Sequence, residues 1–312
     1  MARFLAPTRV EINDFADPRL NDHEPRAIFR LAVSTLDPKS LVPQANMPED
    51  PARQNETWFN ESSRSRRSWN ESVEHIAIDL HSRAIELGRR SRRVPRVLDL
   101  GAGATGLSTY PYLYAGCEVH AVDSAGEALD RLKDGAAGLP GTLTIHAEDI
   151  EPFLTRSIGN GDTFDIVVAR SFLHHIPDYL QLIRTVSRVI SPQGVFVSYE
   201  DPPPYNRTPA LSLFYSRFSY FSMRLVQGNY LRGLKTRWRR LTGTYRDDLP
   251  EDVVEYHIVR NGVDDEQIAA LFAEFGFKCE VKKYFTTDNL LTKHLGRRLD
   301  VVNSFCVLAY RH

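Results

Sequence analysis

Val97-Leu98-Asp99-Leu100-Gly101-Ala102-Gly103-Ala104-Thr105-Gly106 joins a short run suited to a buried strand to three glycines spaced G-x-G-x-x-G. Leu107 and the residues after it can then open a helix. Glycine suits such a turn because it tolerates positive φ and lets a ligand approach the backbone closely. A helix N-terminus placed there presents unpaired N–H groups to a bound polar ligand. The glycines alone are a weak signal. Asp99, two residues before the first of them, sharpens it by putting a carboxylate at the strand tip.

Outward from this stretch the pattern is regular. Strand Arg96–Leu100 leads through the glycine turn into a helix ending near Gly116. Strand Glu118–Val122 ends in Asp123 and Ser124, and a helix follows from Gly126 to Lys133. Strand Thr142–His146 runs into Glu148, Asp149 and Ile150. Strand Phe164–Ala169, helix Asp178–Ile190, the turn Ser191-Pro192-Gln193-Gly194 and strand Val195–Tyr199 complete the run. Strands alternating with helices at this spacing imply parallel βαβ units with right-handed crossovers. Regularity breaks at Glu200 and resumes near Val263 with a helix over Asp264–Phe275. Strands Phe277–Phe285 and Val302–Tyr310 follow, joined by a loop and expected to pair antiparallel at the sheet edge.

The 312 residues suit one large domain with extensions. A formal net charge of −1 gives no global field for nucleic acid or an acidic membrane. Cys117, Cys279 and Cys306 are scattered, with no C-x-x-C spacing, so neither a disulfide framework nor a metal site is expected. The N-terminus lacks a signal-peptide pattern, and no apolar run approaches the ~18–20 residues needed to span a bilayer. A cytoplasmic location is the expectation. Residues 1–55 are broken by prolines and read as an arm or a lid. Trp58 and Trp69 flank the basic cluster Arg64-Ser65-Arg66-Arg67, which is either a solvated patch between core anchors or part of a site cover. Residues 71–90 carry Ile76, Ile78, Leu80, Ala84, Ile85 and Leu87 at amphipathic-helix spacing.

In an open parallel sheet, ligands bind beyond the carboxyl ends of the strands, where the strand order reverses. Asp99, Asp123, Glu148 with Asp149, and Arg170–His175 all fall at such ends. Any one of these acids alone reads as a helix cap or a solvated loop residue. Together, one per successive strand, they read as a nucleoside-type site, with Asp123 placed to accept from ribose hydroxyls.

Val97–Gly106, Val119–Ser124, His146–Ile150, Phe164–Val168 and Ser191–Gly194 resemble the successive motifs of class I S-adenosylmethionine-dependent methyltransferases. His174-His175-Ile176-Pro177-Asp178 resembles a segment common in the subgroup acting on small molecules and quinone-like lipids. The resemblance implies an α/β, Rossmann-like sheet of seven strands in the order 3-2-1-4-5-7-6, with strand 7 antiparallel. The resemblance leaves a helical N-terminal extension over residues 1–93 and a methyltransferase domain over 94–312, in which the break in pattern over 200–262 reads as a cap insertion after strand 5. It further implies that Asp99, Gly101, Ala102 and Gly103 meet the methionine part of S-adenosyl-L-methionine. Asp123 and Ser124 would meet the ribose, Asp149 and Ile150 the adenine, and Arg170 the methionine part or the substrate. A dinucleotide reading of the same glycines is the rival, weakened because such turns lack an aspartate at the place of Asp99.

A sulfonium methyl is already activated, so such a protein chiefly aligns the acceptor and excludes water. His174 or His175 can serve as a general base, or can merely orient the loop after strand four. Asp201-Pro202-Pro203-Pro204-Tyr205 echoes a motif of amino-group methyltransferases but follows strand five instead of strand four. DNA is therefore not the expected substrate.

In the insertion, Leu211, Phe214, Phe218, Phe221 and Leu225 recur on one helical face. Arg217, Arg224, Arg232, Lys235, Arg237, Arg239, Arg240 and Arg246 accompany them with no acid between, and Tyr215, Tyr220, Tyr230 and Trp238 are interleaved. Three readings stand: a cap whose aromatic stripe packs on the domain, a membrane-surface contact through residues 211–246, or an electropositive mouth for an anionic substrate. Trp58, Trp69, Tyr205 and Tyr215 are candidates for a substrate lid. The function expected is methyl transfer to oxygen, nitrogen or carbon of a small enclosed molecule. Its alternatives are a lipid or polyprenyl acceptor at a membrane, or cofactor binding without transfer. The sequence leaves the oligomeric state open.

Overall fold

The computed structural model describes residues 67–226, 262–287 and 290–311. Its elements run α1 Arg67–Ser91, β1 Arg96–Leu100, α2 Tyr110–Tyr114, β2 Glu118–Asp123, α3 Gly126–Gly135, β3 Thr142–Ala147, α4 Ile150–Asn160 and β4 Phe164–Arg170. A 3-10 turn at Leu173–His175 leads to α5 Tyr179–Val186, β5 Ile190–Asp201, α6 Ala210–Val226, α7 Asp265–Glu274, β6 Lys278–Tyr284, α8 Leu290–Arg298 and β7 Ser304–Tyr310. The seven strands form one sheet in the order β3-β2-β1-β4-β5-β7-β6. The first five are parallel, and β7 runs antiparallel to both β5 and β6.

The central strands are mostly apolar because both faces of the sheet are covered. On one face Val97, Val119, Ile166, Val168, Val197 and Leu308 pack with Leu80, Ala84 and Ile85 of α1, Tyr112 and Leu113 of α2, and Leu129 and Leu132 of α3. On the other, Leu98, Leu100, Val167, Phe196 and Val307 pack with Phe153 of α4, Ile183 of α5 and Phe272 of α7. Alternation along β1 places Asp99 on the same face as Val97, under α1 and α2.

Four elements depart from the sequence expectation, among them the turn expected at Ser191–Gly194, which lies within β5. The helix after the glycines begins at Tyr110, not Leu107. Pro111 has no N–H and fits only a first helical turn, so Leu107–Thr109 remains a turn held by Thr109 N donating to Gly106 O at 3.2 Å. Helix α5 stops at Val186, because Ile190 already belongs to β5 and pairs with Phe164. The expected loop between the last two strands contains α8. Its inward side carries Thr292, Lys293 and Gly296, while Leu295 and Leu299, at helical spacing, are exposed. No helix among the described residues is long and apolar enough to cross a membrane.

The third glycine of the opening stretch has a packing reason. Gly106 has φ +64°, and a Cβ there would lie 2.3 Å from the Tyr110 ring, whose hydroxyl donates to Leu132 O. Gly106→Ala is expected to cost about 2–4 kcal/mol from left-handed strain plus overpacking. Urea unfolding checks this.

Candidate active site

The sheet order reverses between β1 and β4, and the carboxyl ends of these strands open the crevice where such folds bind ligands. Gly101 N and Ala102 N both donate to Val122 O, at 2.9 and 3.3 Å, which folds the glycine turn back over β2. Gly101 (φ +67°) faces Phe172, and a Cβ there would lie 2.3 Å from its ring. Gly103 (φ +57°) has nothing within 4 Å of the Cβ position, so this side of the turn is open to a ligand.

Asp123 clamps that turn. Its Oδ2 accepts from Gly103 N and its Oδ1 from Ala125 N, both at 2.9 Å. One carboxylate thereby joins the loop after β1 to the loop after β2. Burial raises its pKa, against the opposing pull of the two N–H groups. Asp99 is fully buried, and its Oδ2 accepts from Thr109 Oγ1 at 2.6 Å. Its Oδ1 is buried without a hydrogen-bond partner among the described residues. Burial pushes this carboxyl up to about 6, offset in part by the Thr109 and Ser108 hydroxyls. A buried acceptor left open beside an open glycine turn is a place for a ligand's donor. Ala102 is buried in the turn and Ser124 is exposed beside Asp123. Asp149 is exposed at the N-cap of α4 with no side-chain cap bond, and Ile150 packs half-buried beside Phe153.

At the ends of β4 and β5 a buried ion pair forms. Arg170 Nη2 lies 2.7 Å from Glu200 Oε2, with the two side chains 10% and 1% exposed. Glu200 sits in a β-bulge at φ +67°, where the β5–β7 register shifts between Tyr199 and Asp201. The Tyr284 hydroxyl accepts its N–H at 2.8 Å. The bulge turns two consecutive acids to different partners. Beneath Arg170, the Tyr199 hydroxyl donates to Leu107 O and lies 3.0 Å from His81 Nε2. Burial and Arg170 drive the His81 pKa down to about 3, so His81 is neutral and donates. Arg170→Met should cost about 3–5 kcal/mol by stranding the buried Glu200 charge. Adding Glu200→Gln should recover part of that loss in denaturant unfolding.

The second acid of the bulge meets the histidine pair. Asp201 Oδ1 accepts from His174 N at 3.1 Å and from His174 Nδ1 at 2.8 Å. Its Oδ2 is buried without a hydrogen-bond partner among the described residues. Burial accordingly pushes the Asp201 carboxyl up to about 7, against the His174 and Leu173 N–H groups and the charge of His175. The His175 ring stacks at a tilt on His174, with centroids 3.9 Å apart. The structure therefore distinguishes the two histidines, which the sequence does not.

Asp201 and Glu200 are the site residues that sequence reasoning missed. Both extend the rule of an acid at each strand end, but Asp201 also opens the proline run that echoes a different motif. Thr109 had no such signal, since its role depends on where α2 begins.

The lid candidates separate. Trp58 lies outside the described residues, as does the side chain of Trp69 on α1. Residues 227–261 of the insertion also lie outside them. Tyr205 is half-buried in the turn after β5. Tyr215 turns inward: its hydroxyl donates to Thr292 O at 2.8 Å and its ring packs on Phe285 and Val301. The aromatic stripe expected to pack on the domain does not do so at its described positions. Leu211, Phe214 and Phe218 are 52%, 68% and 49% exposed. Helix α6 instead buries Ser212, Tyr215 and Ser219, because the hydroxyls find partners on α8 and at Val302 in the loop that follows it.

Residues 98–198 match a family described as a methyltransferase domain. Over 105 residues the chain is 32% identical to a ubiquinone biosynthesis O-methyltransferase of Haemophilus ducreyi, covering 32% of this chain and 42% of that protein. It is 27% identical over 178 residues to a demethylmenaquinone methyltransferase of Bacillus subtilis, covering 55% of this chain and 63% of that protein. The chain spans about half the length of the curated relatives it matches. Among solved structures, magnesium protoporphyrin IX methyltransferase from Synechocystis with bound S-adenosylmethionine aligns at 14% identity and a TM-score of 0.45. That alignment covers 86% of this chain and 100% of the other.

Proposed function

Because residues 98–198 form a class I S-adenosylmethionine-dependent methyltransferase domain, we propose that this chain methylates a small molecule whose acceptor atom must lose a proton. A hydroxyl is the acceptor the site suits best, and His174 is the base. The observation that carries the reading is the 2.8 Å contact between His174 Nδ1 and Asp201 Oδ1.

The crevice fits the cofactor: Asp99 offers a buried open acceptor, and Gly103 leaves the turn bare. Asp99, Gly101, Ala102 and Gly103 would hold the methionine part, with Arg170 held behind them by Glu200. Asp123 and Ser124 would hold the ribose, and Asp149 and Ile150 the adenine. Bound there, the cofactor supplies a methyl group already activated on a sulfonium. The protein's own contribution is alignment and proton removal.

Asp201 fixes the His174 tautomer. With Nδ1–H donating to the carboxylate, Nε2 becomes the basic nitrogen, and the buried carboxylate stabilises the imidazolium that forms. Relatives named as a ubiquinone biosynthesis O-methyltransferase and a demethylmenaquinone methyltransferase support an oxygen acceptor on a small, quinone-like molecule. Lid closure over that acceptor by the N-terminal extension and the insertion is part of the same reading.

The test is S-adenosylhomocysteine formation by purified protein offered phenolic small molecules and small-molecule extracts. Product that appears with the wild type and vanishes in His174→Ala supports the reading. Calorimetric cofactor binding with no product from any extract would point to a protein that binds the cofactor without transferring its methyl.

A further inference from the structure

Helices α6 and α8 pack against each other by polar and small side chains. Tyr215 reaches Thr292 O, Ser219 Oγ lies 2.7 Å from Thr292 Oγ1, and Ser212 Oγ accepts from Val302 N at 3.1 Å. Gly296 lets the Tyr215 and Phe285 rings approach, since a Cβ there would lie 2.9 and 2.4 Å from them. Residue numbers rise along α6 as they fall along α8, so the helices are antiparallel.

At about 100° per residue, Leu211, Phe214 and Phe218 are turned from the contact side of α6 in one sense. Leu295 and Leu299 are turned in the same sense from the contact side of α8, where Leu299 continues the last turn by donating to Leu295 O. In an antiparallel pair, equal rotations in the same sense bring both stripes onto one face. All five side chains are exposed, from 41% at Leu299 to 68% at Phe214. Five large apolar side chains together on one outer face are more than scattered surface residues.

We propose that this face docks the protein onto an anionic lipid bilayer. The exposed ionisable side chains described on the two helices, Arg217, His294 and Arg298, include no acid. Arg217 and Arg298 lie one step further round each helix from the apolar stripe. An apolar stripe edged by cations suits the headgroup boundary, with the helices in the plane of the surface. A second copy meeting this face across a two-fold axis would instead oppose cation to cation. With Arg217 and Arg224 in its sequence, α6 lies on a bilayer and does not span one.

Co-sedimentation of the full chain with phosphatidylcholine vesicles, with and without phosphatidylglycerol, tests this. The wild type should sediment with the anionic vesicles and lose binding as salt rises. Phe214→Ser with Phe218→Ser should weaken that partition about tenfold or more. Calorimetric cofactor affinity and thermal unfolding in solution should stay unchanged. Arg217→Glu with Arg298→Glu, on exposed positions, should weaken binding to anionic vesicles selectively, and this pair carries the test if the serine variant misfolds. Absence of wild-type sedimentation with either vesicle, or equal binding by the variants, would overturn the proposal. So would a wild-type dimer in sedimentation velocity that the serine variant abolishes while vesicle binding persists.

Discussion

Replacing Asp201 with asparagine should lower kcat by about 10²–10³-fold while making the unliganded protein more stable at alkaline pH. Asparagine is nearly isosteric but does not select one tautomer of His174, because its amide offers either a donor or an acceptor to Nδ1. It also lacks the charge that stabilises an imidazolium. His174→Ala should cost a similar factor, and the double variant little more, because the pair acts as a unit.

The stability gain follows from linkage. Burial holds the Asp201 carboxyl near 7, above its unfolded value of 3.8, so the folded state binds a proton that the unfolded state has released. Stability therefore falls as pH rises from about 4 to about 7, and the cost is fully present above about 7. Three pH units correspond to about 4 kcal/mol. The asparagine amide must occupy a place where Oδ2 finds no partner, which returns roughly 1–3 kcal/mol of that. A net gain of about 1–3 kcal/mol at pH 8, absent at pH 4, is the expected result in urea unfolding. For the wild type, kcat/KM should fall as pH drops below about 7, when the pair takes up a proton. A kcat unchanged within about twofold in Asp201→Asn would remove the histidine from the chemistry.

Asp123→Ala should weaken S-adenosylhomocysteine binding by about 10²–10³-fold in calorimetry. The carboxylate holds Gly103 N and Ala125 N, and hydrogen bonds to a charged group are worth about 1.5–3 kcal/mol each. Losing both releases the turn that must stay in place for the ligand, and any ribose contact goes with them. Asp123→Asn, which keeps one acceptor, should fall between wild type and alanine. Unchanged affinity in Asp123→Ala would separate this residue from the ligand altogether. A stability loss without an affinity loss would leave it only the role of a loop clamp.

The parallel sheet and the location of the crevice were readable from residue pattern, while the strand order followed from the family resemblance of the motifs. Alternating β and α signals name a parallel sheet, glycines at Gly101, Gly103 and Gly106 name the turn, and Asp99 and Asp123 mark strand tips. These signals are local: each rests on the period of a strand or on the backbone freedom of a glycine. The start of α2 was less legible, although Pro111 held the answer. Helix α8 was not read from the sequence: leucines at 291, 295 and 299 recur at helical spacing, but the described residues on its inward side are threonine, lysine and glycine.

The pairing within the site was decided by tertiary structure. One extra residue in β5 puts Glu200 in the left-handed region, sending its carboxylate to Arg170 and that of Asp201 to His174. Nothing in the sequence announces a bulge whose N–H is accepted by a tyrosine hydroxyl 84 residues away. The orientation of α6 was likewise settled by contact. Its apolar stripe predicted an inward face, but hydroxyls with partners on α8 and at Val302 turned the serines and Tyr215 inward. The sequence alone thus determined the sheet and the turn that opens toward a ligand, because period and glycine conformation act within a few residues. Which histidine meets a buried acid and which helix face meets the outside depended on hydrogen bonds between segments far apart in the chain.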